Sequence, residues 1–337
     1  MREISRDPRP PAPGRGARGV LQRVPVWVWR GLMAQLEPRE LARLNVDPIT
    51  SVDYTTDIDF VGDGIREHRL DVMAPRPAEG FSADGLPVYV YFHGGGWTSG
   101  DKGALTKYCA SQAASGIIVV NANYRKATGF RMSDMIDDAN AVLAWVRDNI
   151  GSHGGDPTRI VLGGDSAGGQ IAALYQAAVL RPALAEHYGL EPAIPPASLR
   201  GLVQHCSAVD FSVIFERGFI LSRNFVRMLL PHRGRGVSLR RAARFLSPIE
   251  WVDRGDPPVF LTTSERDYFY RANLNYVARL RERGVPVDTL IYERSSRNTE
   301  HTWQQNAAFP ESQEVYRRLQ EFIGRVAGHA RLAAAGR

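Results

Sequence analysis

Apolar residues along this chain fall into two kinds of pattern that alternate. Short unbroken runs occupy Pro87–Phe92, Ile117–Asn121, Ile160–Leu162, Leu199–Cys206, Pro257–Thr262 and Val287–Tyr292. Runs of that length, rich in β-branched and aromatic residues, predict strands buried on both faces, and such strands need helices above and below them. Between the runs, apolar positions recur at helical spacing over Ala104–Ser115, Ser133–Asn149, Gln170–Leu180 and Asn273–Arg283. In the second of these, Met135, Ala139, Val142, Leu143 and Val146 share one face, which should pack on a sheet. Upstream, Val52–Val61 and His68–Met73 are separated by Gly62-Asp63-Gly64 and predict an antiparallel pair at the start of the sheet. The expected fold is α/β, a mostly parallel sheet of about eight strands with helices on both faces.

The periphery follows different patterns. Residues 1–19 carry four prolines, three glycines and five arginines against two acids, a composition that cannot fill a core and predicts a disordered basic tail. Residues 20–50 repeat apolar positions at helical spacing, including Trp27, Leu32, Leu36, Leu41 and Leu44, and Pro25 and Gly31 are expected to break them into short helices. The segment 211–247 mixes Phe, Leu and Met with eight arginines against Glu216. Its helical periodicity over 221–230 and 239–246 predicts short helices, for which a plain surface excursion is one reading. Residues 328–337 are expected to fray. The expected units are therefore a core over 51–210 and 248–327, the helices of 20–50 and the insertion 211–247.

At 337 residues and 44% hydrophobic content, the chain has enough material for a large core. No run approaches a membrane span, and the apolar stretch at 24–36 has no small-residue cleavage site, so neither an integral membrane segment nor a secretory signal is expected. The net charge of +6 is concentrated in the tail and the insertion. No nucleic-acid motif accompanies it, so nucleic-acid binding is not expected. A solvated arginine-rich surface, or attraction to acidic substrates or anionic lipid, accounts for it. Two cysteines, Cys109 and Cys206, make no ligand cluster or disulfide framework. Neither metal nor cofactor is expected, the compartment reads as cytoplasmic, and a homodimer is left open.

Candidate chemistry begins at Ile160–Ala173, where an apolar run gives way to Gly163-Gly164-Asp165-Ser166-Ala167-Gly168-Gly169 and then to an alanine-rich helical pattern. Gly164-x-Ser166-x-Gly168 between strand and helix is what a nucleophile elbow requires; an ordinary βα turn is the alternative. The elbow exposes the hydroxyl at a helix N-terminus, where developing negative charge is favoured. A second stretch, His93-Gly94-Gly95-Gly96-Trp97, follows the buried run 87–92. Acyl transfer develops an oxyanion that must be met by backbone N–H donors, and consecutive glycines allow that approach. The alternatives are a flexible loop or a phosphate cradle, but the residues that follow phosphate-binding glycines elsewhere are absent. The amides of Gly95, Gly96 and Ala167 are the candidate oxyanion hole. His93 precedes the donors and is expected to shape the loop, and His205, at a strand end, to be a buried, hydrogen-bonded histidine. After the run 257–262, Asp267 and Glu265 are both placed to orient a catalytic histidine.

His93-Gly94-Gly95-Gly96 upstream of Gly164-Asp165-Ser166-Ala167-Gly168-Gly169 resembles the hormone-sensitive-lipase-like branch of the α/β-hydrolase superfamily, the microbial carboxylesterases. Gly154-Gly155-Asp156-Pro157-x-Arg159-Ile160 is similar as well, and the resemblance spans roughly residues 52–327. The chain departs from the pattern at Lys126–Phe130, at Ser264 and at Tyr268. The resemblance implies an α/β-hydrolase fold with a helical cap, built from the helices of 20–50 and the insertion 211–247, and favours Asp267 over Glu265 as the acid. It also implies His301, which is followed two residues later by an aromatic, as the base. The order Ser166, Asp267, His301, spaced by 101 and 34 residues, is that of α/β-hydrolases. The expected activity is that of a serine carboxylesterase acting on small-molecule esters of short to medium acyl chain. An amidase or peptidase on the same triad, or a catalytically silent ligand-binding homologue, are the alternatives.

Overall fold

The computed structural model describes residues 25–76, 85–230 and 237–328. The expected basic tail, most of the loop 74–87, the middle of the 211–247 insertion with His232, and nearly all of the C-terminal segment with His329 lie outside the described residues. Eight strands form one sheet: β1 (Val52–Asp59), β2 (Arg69–Pro75), β3 (Leu86–Phe92), β4 (Ile118–Ala122), β5 (Gly155–Asp165), β6 (Leu199–His205), β7 (Val259–Ser264) and β8 (Val287–Tyr292). Their order is β1-β2-β4-β3-β5-β6-β7-β8. β1 and β2 pair antiparallel, as do β2 and β4, and every later pairing is parallel.

The period of two along β3 builds both layers of the core. Val88, Val90 and Phe92 face one cluster, and Tyr89 and Tyr91 face the other. Helices fill each side. Taken along the chain they are α1 (Val26–Leu44), α2 (Thr106–Ala113), α3 (Met132–Asn149), α4 (Ser166–Leu180), α5 (Pro182–Tyr188), α6 (Arg223–Leu229), α7 (Leu239–Ala242), α8 (Tyr270–Glu282) and α9 (Pro310–Val326). Residues of α3, α4 and α8 pack on the first face, and residues of α2 and α9 on the second. All five expected apolar positions of α3 are fully buried. With both faces covered, a strand such as β3 shows no polar alternation, and all seven of its residues are buried.

One expectation fails in α1. Gly31 does not divide this segment: a single helix of 19 residues starts after Pro25, whose ring cannot continue an earlier turn, and runs through Gly31. Glycine in a helix costs only about 1 kcal/mol relative to alanine, and contacts made by Val26 and Trp29 with the main core cluster offset it. The first short helix after β3 also begins later than its pattern suggested. A 3₁₀ turn at Lys102–Leu105 precedes α2, capped by the Asp101 carboxylate, which accepts from the Gly103 amide at 2.9 Å.

Parallel strands deliver their C-terminal ends to one edge, and the loops there are where an open α/β sheet collects its chemistry. β3 ends at the glycine loop, β5 at Ser166 and β7 just before Asp267, while the loop after β8 carries His301.

Candidate active site

β5 runs straight into α4, and the turn between them has room for one conformation. Ser166, the first residue of α4, has φ +52°, a left-handed setting that costs a non-glycine residue on the order of 1–3 kcal/mol and persists only where the surroundings enforce it. A Cβ at Gly168 would overlap the carbonyl oxygens of Phe92 and His93, so the helix can lie this close to the end of β3 only with glycine there. The glycine loop has the same constraint. Gly95 has φ +125°, and a Cβ on it would run into the Ser99 carbonyl.

Three predicted residues meet at this turn. The Ser166 Oγ lies 3.0 Å from His301 Nε2, and His301 Nδ1 lies 2.7 Å from Asp267 Oδ1. A carboxylate only accepts, so Nδ1 carries the proton and Nε2 presents its lone pair to the serine hydroxyl. Asp267 is buried, and its remaining capacity is filled by the Phe269 amide at 3.0 Å and the Thr263 hydroxyl at 3.0 Å. These donors fix the carboxylate that fixes the ring. Glu265 faces elsewhere: it is exposed and accepts from the Arg294 amide at 2.9 Å.

The acid and histidine loops are clasped to each other. The Ser264 hydroxyl donates to the Thr299 carbonyl, Arg266 Nε donates to the Arg294 carbonyl at 3.0 Å, and Arg266 pairs with Glu300 at 3.0 Å. The loop before His301 has no glycine; its left-handed position is taken by Asn298 (φ +53°), and Thr302, just after the histidine, is left-handed as well (φ +60°). Asparagine is among the residues that tolerate this region best.

A cavity of about 290 Å³ opens onto Ser166 and His301, lined among others by Gly95, Gly96, Trp29, Met33 and Tyr268. Ala167 is buried at the second position of α4. Trp29 and Met33 come from α1, which therefore forms part of the site's wall, and the Trp29 indole lies over Gly96. Trp29 also meets Phe225 of α6 edge-on at 6.4 Å. Phe225 in turn lies 6.2 Å from Trp97, whose Nε1 donates to Gln170 Oε1 at 2.6 Å. The glycine loop, α4, α1 and the insertion are thus joined by one aromatic cluster.

Four participants carried no assignment from sequence. Asp165 is buried and receives the Tyr91 hydroxyl at 2.8 Å, Gln305 Nε2 at 3.0 Å and the Gly94 amide. Burial pushes its pKa up to about 6 against those donors. It ties the elbow to the glycine loop and to the segment after His301; a charged residue inside an otherwise small, apolar turn was the available signal. Gln305 had none, since it reaches Asp165 across 140 residues. Cys206, with φ +50°, sits close to Asp267 and His301; burial holds its thiol well above the ordinary value and its proton faces Asp267. Tyr268 lies tilted against His301, with ring centroids 4.0 Å apart.

The two other histidines behave as their positions suggested. His93 Nδ1 bonds the Gly94 carbonyl at 2.6 Å and the ring stacks on Tyr124 at 4.5 Å; burial lowers its pKa to about 4. His205 is held between Tyr108 at 2.9 Å and Thr262 at 2.7 Å, and burial lowers its pKa to about 3.

A nucleophile elbow, a glycine loop beside it and an acid and a histidine on later strand-end loops define an α/β-hydrolase. Comparison with known proteins agrees: residues 89–301 match the family described as alpha/beta hydrolase fold, and the chain belongs to it. It is 32% identical over 213 residues to the carboxylesterase NlhH of Mycobacterium tuberculosis, covering 61% of this chain and 64% of that protein. It is 29% identical over 283 residues to the esterase LipQ of the same organism, covering 81% of this chain and 63% of LipQ. The matches thus span a little under two thirds of these relatives' lengths. Among solved structures, esterase B from Lactobacillus rhamnosis superposes with a TM-score of 0.79 at 21% identity, over 89% of this chain and 94% of that one. These structures share the fold. No helix among the described residues is long and apolar enough to cross a membrane.

Proposed function

We propose that this protein is a serine carboxylesterase. The observation that carries the reading is the unbroken relay from the Asp267 carboxylate through His301 to the Ser166 hydroxyl, at 2.7 and 3.0 Å, beside a glycine-lined cavity. His301 Nε2 takes the Ser166 proton as Oγ attacks the ester carbonyl. The amides of Gly95, Gly96 and Ala167 receive the oxyanion, each donor contributing on the order of 10²–10³ in turnover. His301 then protonates the leaving alcohol, the acyl group stays on Ser166, and a water deprotonated by the same nitrogen releases the acid. Asp267 holds the tautomer and stabilises the imidazolium. The named activities of the mycobacterial relatives favour an ester over an amide.

The cavity sits at the low end of the roughly 300–1,000 Å³ range of small-ligand sites, which supports acyl chains of short to medium length. α1 and the 211–247 insertion act as the cap that excludes water from the acyl half of the site. The test is hydrolysis of p-nitrophenyl esters from acetate to palmitate by the wild type and Ser166→Ala. The expected result is activity on the short esters that falls by about 10⁴-fold or more in the variant. It is joined by labelling of the wild type alone with a fluorophosphonate. Equal rates in the two proteins, or no labelling, would overturn the assignment.

A further inference from the structure

Tyr268 is an aromatic side chain that packs on His301 and shares the cavity with Ser166. Its ring lies on the His301 imidazole, with centroids 4.0 Å apart and planes at 34°. Its hydroxyl is near enough to the Ser166 side chain for that group to act on its pKa, and the two residues line the same cavity. It directly follows Asp267, whose Oδ1 accepts from the next amide, Phe269, at 3.0 Å. The backbone carrying Tyr268 is therefore held by the same carboxylate that holds the histidine.

The carbonyl oxygen and the alkoxy oxygen are different substituents of the tetrahedral carbon and must face different protein groups. The glycine loop and Ala167 serve the first, as proposed above. The second must lie near His301 Nε2, because that nitrogen delivers its proton there. A hydroxyl mounted on a ring that covers the imidazole belongs with the alkoxy oxygen. Burial and the neighbouring Asp267 keep the phenol protonated far above neutral pH, so it serves as a donor and not as a base.

We propose that Tyr268 is a further catalytic residue, donating a hydrogen bond from its hydroxyl to the alkoxy oxygen of the departing alcohol. This rests on the esterase reading. As the tetrahedral intermediate collapses, the carbon–alkoxy bond breaks and its electron pair moves to the alkoxy oxygen. The proton on His301 Nε2 transfers to that oxygen, and Tyr268 stabilises the charge in transit while keeping its own proton. The contribution is largest for leaving groups that are strong bases and vanishes for those that leave as stable anions.

That dependence separates the role from a structural one. The experiment compares Tyr268→Phe with the wild type on two esters of one acid, ethyl butyrate and p-nitrophenyl butyrate. The phenylalanine keeps the ring on His301 and removes only the hydroxyl. The expected result is a loss in kcat of about tenfold on the ethyl ester, the scale of one hydrogen bond, with p-nitrophenyl butyrate changed by less than twofold. Equal losses on both esters would overturn the proposal, since they would place the hydroxyl on the acyl half or in the packing, and so would unchanged rates on both. A wild type that hydrolyses neither ester would overturn the esterase reading itself, and that failure is seen without the variant.

Discussion

Two histidines of this protein, His301 and His68, each set one ring nitrogen against a carboxylate and the other against a second side chain, yet only His301 has a hydroxyl on that second side. His301 stands between Asp267 and the Ser166 hydroxyl. His68, at the start of β2, stands between Asp63 at 2.7 Å and Asp138 at 3.1 Å, and Asp138 also accepts from Arg125 Nε at 2.8 Å. A carboxylate on one side orients either ring. What lies on the other side decides the outcome. His301 offers a lone pair to a hydroxyl that can give up its proton, whereas both nitrogens of His68 face groups that only accept. His301 keeps about 20% of its side chain open toward a cavity, while His68 is covered and ties β2 to α3.

The largest effect expected from this contrast is on turnover. His301→Ala should lower kcat/KM on a short p-nitrophenyl ester by about 10⁴-fold or more, and His68→Ala should leave it within a few fold. His68→Ala should instead lower the unfolding free energy by roughly 1–3 kcal/mol, because Asp138 loses a buried partner. Thermal melting and initial rates on both variants decide it, and comparable losses of activity would break the comparison.

A slightly smaller effect is expected from the orienting carboxylates. Asp267→Asn keeps the shape but presents an amide to His301 Nδ1, which favours the wrong tautomer; a fall in kcat of about 10⁴ is the scale of such a change. Asp138→Asn, the matching substitution in the structural pair, should leave kcat unchanged. Initial rates of the two variants beside the wild type decide it, and equal losses would break the comparison.

The sequence made these two histidines unequal for a physical reason. His301 follows a strand end in the order that the family resemblance implies, while His68 sits just before β2, where its partners Asp63 and Asp138 belong to no motif. Buried strands were legible for a similar reason, since a run such as Val88–Phe92 has no polar alternation to mislead. Ser166 and the glycines near it were legible because close backbone approach leaves no substitute for Gly168. The parts that could not be read depend on tertiary contacts alone. Gln305 reaches Asp165 from the opposite loop, Tyr268 owes its position to the His301 ring, and α1 passes through Gly31 because Trp29 has an aromatic cluster to join. Local propensity at Gly31 argued for a break, and packing overrode it.

The smallest expected effect concerns stability against acid and extends the contrast to the histidines that make no use of charge. His205 is buried between Tyr108 and Thr262, and burial depresses its pKa to about 3; His93 is depressed to about 4. In the unfolded chain both rings take up a proton near pH 6.5. Below that value the unfolded state binds protons that the folded state refuses, so stability is fully present above pH 6.5 and falls as the pH drops toward 4. Asp165 acts in the opposite sense. Its pKa of about 6 lies above the unfolded value, so between pH 6 and 4 the folded state holds a proton that the unfolded state has released, which partly offsets the loss. Removing one histidine therefore removes one proton from the slope. Urea unfolding of His205→Gln should show lower stability at pH 8, because the fit between Tyr108 and Thr262 is disturbed. Between pH 6 and 4 its dependence should be shallower than that of the wild type by about one proton, roughly 1 kcal/mol per pH unit. Parallel curves would mean that His205 takes up its proton in the folded state as readily as in the unfolded one, and the distinction between a buried neutral histidine and a working one would then have to rest on His301 alone.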